Sequence, residues 1–261
     1  MGLALLVATR YFDRDPERHV PPIPDSVVSA ADGTVLAVKC LAFGDLSHEP
    51  GIVDLGEGVV RSCWSVDSKA WMVSVFMSIL DVHVNRAPVN GRIIFTTLRP
   101  GSFFPLGGQT WQNAEENERN TILMRSEAGT VGVIQVAGHL ARRIECWVSP
   151  GDFVRQGDRI GKIKLGSGVI VVFPARENQR ILVREGDVVR AGSTLLAISS
   201  SLPAPTSGSS PKPELEQAKH RIADRILTKY LSVVLHGYLY TRLWLSALGQ
   251  RVFGSSKAGR S

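Results

Sequence analysis

Between Tyr11 and Ser200 the apolar residues come in short runs rich in Val and Ile, broken by Gly, Pro and Asp, and no helical period is sustained. Short runs punctuated by turn formers predict a mainly β domain. The clearest strand candidates are 27–39, 71–78, 91–97, 121–125, 130–136 and 142–148. Helix is expected to be scarce before residue 210. One stretch recurs: Gly151-Asp152-Phe153-Val154-Arg155-Gln156-Gly157 returns as Gly186-Asp187-Val188-Val189-Arg190-Ala191-Gly192, each copy followed by an apolar strand. Such a turn suits the hairpins of lipoyl and biotinyl carrier barrels, with glycine supplying positive φ and the short Asp bonding nearby backbone. Two copies predict a sandwich or barrel of quasi-equivalent hairpins rather than a solenoid.

The pattern changes after residue 199. Residues 200–213 form a Ser/Pro/Gly linker with nothing to bury. In 214–261 the apolar positions Ile222, Ile226, Tyr230, Val233, Gly237, Tyr240, Trp244 and Leu248 recur at three- and four-residue steps, which predicts a long C-terminal helix. Net charge is +6, and from residue 212 onward nine basic residues stand against three acidic ones, so the tail carries all of it. A basic amphipathic helix on a formally neutral body points to an anionic membrane surface, with no nucleic-acid partner expected. His236 and Arg242 interrupt the stripe, so lying in the interface is preferred over packing on a partner or spanning. At the other end, 1–10 is apolar only over Leu3 to Ala8, too short to cross a bilayer and without the marks of a secretory signal. Cys40, Cys63 and Cys146 are far apart and lack any CxxC spacing, which suggests reduced thiols and neither a disulfide framework nor a metal site.

The candidate chemistry lies within 11–199. Alone, Asp32 before Gly33 reads as a turn aspartate and His83 as a core histidine. Five blocks in order change that: Tyr11-Phe12-Asp13-Arg14-Asp15-Pro16-Glu17-Arg18; Val28-Ser29-Ala30-Ala31-Asp32-Gly33; Phe76-Met77-Ser78 running into Asp81-Val82-His83-Val84-Asn85-Arg86-Ala87-Pro88; Glu116-Asn117-Glu118-Arg119-Asn120; and Gly157-Asp158-Arg159-Ile160-Gly161 leading to Leu165-Gly166-Ser167. With these the chain resembles the phosphatidylserine decarboxylase family, particularly its short bacterial and archaeal branch.

The resemblance implies a proenzyme that cuts itself between Gly166 and Ser167. The serine hydroxyl attacks the glycine carbonyl, the amide becomes an ester, β-elimination frees the upstream chain, and hydrolysis leaves a pyruvoyl group in place of Ser167. The chains 1–166 and 167–261 stay together. It further implies His83 as base and Asp32 as its orienter, with the logic of a serine hydrolase triad. The pyruvoyl ketone then serves as electron sink for decarboxylation of an aminophospholipid, phosphatidylserine to phosphatidylethanolamine, with neither pyridoxal phosphate nor metal. His83 is the expected proton donor in that step. Peripheral attachment to the cytoplasmic side of the cell membrane is expected.

Asn85, Arg86 and the Asn117-Glu118-Arg119-Asn120 block are candidates to hold the substrate carboxylate or phosphate, although structural pairing explains such residues equally well. His139 is expected to be non-catalytic. Three positions depart from the family pattern: Asp13 replaces an uncharged residue, Ala30 a proline, and Gly168 follows the serine where Arg or Thr is commoner. The alternatives are a relative in which Gly168 prevents processing, or a non-enzymatic lipoyl- or biotinyl-like carrier, for which Lys162 and Lys164 are the nearest lysines.

Overall fold

A computed structural model describes residues 13–199 except 56, 66, 79, 105, 107–113, 128, 139–142 and 164–166. The N-terminal segment before residue 13, the linker and the expected C-terminal helix lie outside the described residues. The described part is mainly β. Its strands are β1 (Ser26–Val28), β2 (Gly33–Ala42), β3 (Lys69–Met77), β4 (Val84–Arg86), β5 (Gly91–Arg99), β6 (Arg119–Ser126), β7 (Gly129–Ala137), β8 (Ile144–Cys146), β9 (Phe153–Val154), β10 (Arg159–Ile163), β11 (Ser167–Pro174), β12 (Gln179–Ile181), β13 (Val188–Val189) and β14 (Leu195–Ser199). Between β2 and β3 lie two short helices, α1 (Phe43–Leu46) and α2 (Glu57–Cys63).

Eight strands form one antiparallel sheet in the order β13-β2-β3-β11-β7-β6-β5-β9, flanked by two three-stranded sheets, β1-β14-β12 and β4-β10-β8. The order is palindromic in role. β4 to β10, a continuous stretch of chain, build one half: β9, β5, β6 and β7 in the large sheet plus one small sheet. β1, β2, β3 and β11 to β14 build the other half, and the first is inserted between β3 and β11.

The two G-D-x-V-x-x-G segments hold equivalent places in this plan. Their strands β9 and β13 are the two edges of the large sheet, and β10 and β14 are the middle strands of the two small ones. Gly157 N donates to Ala87 O and Gly192 N to Ser29 O, each at 2.8 Å, while Gly151 N donates to Ile93 O and Gly186 N to Val35 O, again at 2.8 Å. Gly151 and Gly186 have φ of 104° and 89°, values open to glycine at little cost. Asp152 Oδ2 accepts from Ser149 N and Asp187 Oδ2 from Arg184 N, so each Asp closes its own turn.

Both faces of the large sheet are covered, so its central strands read as continuous apolar runs. On one face Val169, Val171 and Phe173 of β11 join Val131 and Val133 of β7 and Val73, Val75 and Met77 of β3 in the core shared with the small sheets. On the other, Ile170, Val172, Ile134 and Met72 pack with Phe43, Leu46, Val60 and Trp64 from the helical segment. That double burial explains why β11 is hard to single out from its sequence: a run of β-branched residues has no alternation to read. The candidate strand 27–39 proves to be two strands, because Ser29 to Asp32 turn the chain from a small sheet into the large one.

Candidate active site

Ser167 is the first residue of β11, the strand that pairs with β3 on one side and β7 on the other. It is fully buried, opposite Met77 and Ala137. By the period of two it points with Val169 and Val171 into the core between the sheets. Its hydroxyl donates to Met77 Sδ at 3.5 Å, a weak acceptor. Gly166, its expected partner in scission, lies outside the described residues, as do His139 and Lys164. Residues 164–166 connect β10 in a small sheet to β11 in the large one, so the expected cut falls where the chain crosses between sheets.

His83 is brought to the same region by β10. Its carbonyl accepts from Ile163 N at 3.1 Å, three residues before Gly166 in the sequence. The ring is 1% exposed, and Nδ1 lies 2.9 Å from the Asp81 carbonyl. A carbonyl only accepts, so that contact puts the proton on Nδ1 and the lone pair on Nε2. Burial, with lesser contributions from the Lys162 and Arg14 charges, lowers the His83 pKa to about 4 despite the Asp81 contact. The imidazole is therefore neutral near pH 7.

The Asp32 carboxylate is held by Arg18 and Ala191. Its Oδ2 accepts from Arg18 Nη2 at 2.7 Å and its Oδ1 from Ala191 N at 2.8 Å. The carboxylate thus ties the N-terminal segment and the second G-D-x-V-x-x-G turn to the start of β2. The group in contact with His83 Nδ1 is the Asp81 carbonyl.

Arg86 is also engaged in structure. Nη1 donates to Gly157 O at 2.9 Å, and Nη2 to Asp15 Oδ1 at 2.8 Å and Pro16 O at 3.1 Å. Arg119 forms a buried pair with Asp54, both 3% exposed. Burial pushes the Asp54 carboxyl up, but Arg119 and Arg99 outweigh it and hold the pKa below the ordinary value. Asn117 holds the backbone of Phe104 and the Ala137 carbonyl. These residues hold the fold around the site. Lys162, which a carrier reading needs free at a hairpin tip, is on β10 and paired with Asp13 at 2.6 Å.

Asn85 has a different setting. Its Oδ1 accepts from Gln135 Nε2 at 2.8 Å, Gln135 Oε1 accepts from Asn120 Nδ2 at 2.8 Å, and Asn85 Nδ2 reaches Met77 Sδ at 3.7 Å. A buried amide chain therefore ends on the sulfur that holds Ser167. Gln135 escaped the sequence reading, although a lone amide within Val131-Gly132-Val133-Ile134-Gln135-Val136-Ala137 was the available signal.

A family model described as phosphatidylserine decarboxylase matches residues 5–197. The chain belongs to the phosphatidylserine decarboxylase family. A curated relative from Methanocaldococcus jannaschii, named "Putative archaetidylserine decarboxylase proenzyme", is 39% identical over 198 residues, covering 75% of this chain and 91% of the relative. Membership in the phosphatidylserine decarboxylase family supports a phosphatidylserine-type decarboxylase, and the match spans every block that carried the resemblance.

Proposed function

We propose that the chain is a self-processing, pyruvoyl-dependent decarboxylase that converts phosphatidylserine to phosphatidylethanolamine in phospholipid biosynthesis. The observation that carries this reading is Ser167 itself: a fully buried serine at the head of a central strand, its hydroxyl held, among the described residues, by a thioether. A hydroxyl so loosely held can give up its proton. His83, neutral and with the lone pair on Nε2, is the base that takes it as the Ser167 oxygen adds to the Gly166 carbonyl. After the acyl shift, elimination and hydrolysis follow, with release of ammonia.

The pyruvoyl group suits the place Ser167 occupies. It carries one heavy atom fewer than the serine it replaces and sits at the same strand end, so the core needs no repacking. When present it supplies a ketone that takes up the substrate amine and withdraws electrons as carbon dioxide leaves. No pyridoxal phosphate or metal enters this reading. His83, neutral near pH 7, is in the protonation state that a base needs for scission, whereas donating a proton in decarboxylation needs its imidazolium form.

The fragments 1–166 and 167–261 remain associated in this scheme. β11, β13 and β14 belong to the downstream fragment yet pair with β3, β7, β2 and β1 of the upstream one. The basic segment 214–261 and the apolar start 1–10 are assigned to docking on the cytoplasmic face of the cell membrane. The substrate is an aminophospholipid, and the relative's name makes a serine phospholipid with archaeal lipid chains the alternative within the same class.

Intact mass of the purified protein under denaturing conditions tests scission. Two chains, the smaller blocked by a pyruvoyl mass at position 167, are expected. A single uncut wild-type chain would overturn the mechanism. Release of carbon dioxide from phosphatidylserine in detergent micelles, absent in Ser167→Ala, tests the reaction.

A further inference from the structure

We propose that Gln135 is a positioning residue for self-cleavage: it fixes the Asn85 side chain so that an amide NH2, and not an amide oxygen, meets Met77 Sδ, the acceptor of the Ser167 hydroxyl. This rests on the reading of Ser167 as the self-cleaving serine. Asn85, Asn120, Gln135, Met77 and Ser167 are all 2% exposed or less. Asn120 and Gln135 are direct cross-strand partners on β6 and β7, and Gln135 in turn faces Val169, two residues into β11 from Ser167. Each amide in the chain sets the next, because the Asn120 NH2 occupies the Gln135 oxygen and so turns the Gln135 NH2 toward the Asn85 oxygen. Asn85 is left with its NH2 toward Met77 Sδ.

The orientation matters chemically. An amide oxygen in that place would meet the Met77 sulfur lone pair to lone pair and leave the thioether that holds the Ser167 hydroxyl without its donor. With the NH2 there, Met77 Sδ stays in place as the weak acceptor of the Ser167 hydroxyl, a partner that holds the proton loosely for transfer to the base.

The fold does not require these amides. The pairing registers match the Asn120–Gln135 cross-strand pair of β6 and β7 to Trp71–Phe173 of β3 and β11. Asn85 on β4 falls at the place of Val27 or Val28 on β1, and Gly161 on β10 at that of Leu196 on β14. The same frame is thus filled by aromatic and aliphatic side chains in one half and by three amides and a glycine in the other. Gly161 belongs to the device: a Cβ there would lie 2.8 Å from Gln135 Nε2 and 2.4 Å from the Glu145 carbonyl oxygen. Burying amides where apolar groups serve structurally is a cost that a role at Ser167 explains.

A double-mutant cycle tests the idea, read as the rate at which the full chain cuts itself in a pulse–chase during cell-free synthesis. Gln135→Met keeps the length and removes the donor, and it is expected to slow cleavage on the order of 10- to 100-fold, the scale of a misplaced reacting group. Asn85→Leu slows it at least as much. In the Asn85→Leu background Gln135→Met has no further effect, because there is no amide left to orient. Effects that multiply on the two backgrounds, or wild-type cleavage in Gln135→Met, would overturn the proposal. Asn120→Ser, which leaves Gln135 in place and loosens its orientation, is expected to slow cleavage less in the same direction, and it keeps the test decisive if Gln135→Met does not fold. Absence of cleavage in the wild type would instead bring down the self-processing reading on which this rests.

Discussion

In the inserted half of the molecule, β6 and β7 are joined by a tight turn in which Ser126 pairs with Gly129 and its hydroxyl donates to the Gly129 carbonyl at 2.8 Å. In the other half the corresponding strands, β3 and β11, are separated by the whole insertion, and the chain re-enters the large sheet at Ser167, paired with Met77. Gly129 and Ser167 hold equivalent positions at the heads of β7 and β11. The turn before β5 repeats as well: Asn90 Oδ1 accepts from Gln156 N at 2.8 Å, as Asp32 Oδ1 does from Ala191 N. One backbone plan is therefore met twice, once as a closed hairpin and once as an opened one. Opening it removes the turn that would tie residue 167 to its strand partner, and residue 167 stays held by pairing on both sides of its strand. Asp32 shares its turn-closing bond with Asn90, whereas Ser167 and the amides near it have no polar counterpart in the other half.

The largest expected effect comes from making the halves alike. Ser167→Gly should leave a single uncut chain by intact mass and no decarboxylation, while Gly129→Ser should leave cleavage at Ser167 unchanged and create no new cut. A cut before residue 129 would show that strand position alone suffices.

Next in size is the buried Arg119–Asp54 pair, whose arginine stands where the other half has the buried Ala70. Arg119→Met leaves the buried Asp54 carboxylate with Arg99 alone and should cost about 3 kcal/mol in urea unfolding. Because the folded Asp54 pKa is depressed, stability from this pair is present above the ordinary carboxylate range and is lost as pH falls through the folded value. The pH slope should flatten in the variant.

His83 gives a smaller and separable effect. With a folded pKa of about 4, against about 6.5 when unfolded, its stability contribution is full above pH 6.5 and is lost as pH falls toward 4, on the order of 3 kcal/mol in all. Self-cleavage that relies on neutral His83 should accordingly persist well below pH 6.5. A cleavage rate that falls with a midpoint near 6.5 would show that the ring is not buried as described.

The smallest is Asp32→Asn, which copies Asn90 and keeps the bond from Ala191 N while losing the charge opposite Arg18. A loss of about 1–2 kcal/mol is expected. Cleavage abolished at that modest cost would give Asp32 a chemical part beyond the one it shares with Asn90.

Much of this was legible in the chain. Hydrophobic runs cut by turn formers announced a mainly β domain, because the period of two and the φ demands of Gly and Asp are local properties. The recurring G-D-x-V-x-x-G segment announced quasi-equivalent hairpins, and the blocks around His83 and Ser167 announced the family. Where those hairpins lie, at the two edges of one sheet, depends on strand pairing across long sequence separations and has no local mark. β11 shows the limit plainly: buried on both faces, it lacks the alternation that would name it. The same holds for the site. The Asp32 carboxylate, expected from the sequence to serve His83, has as its partners Arg18 and Ala191, residues 14 before it and 159 after it. Asn85 and Arg86, adjacent in sequence, face opposite ways across β4, one into an amide chain and the other to the Asp15 carboxylate. Residue types and spacing determined which groups could act. Only the tertiary pairing decided which of them stand at Ser167, because hydrogen-bond partners are chosen by distance in space, which a chain folded into three sheets does not preserve from its sequence.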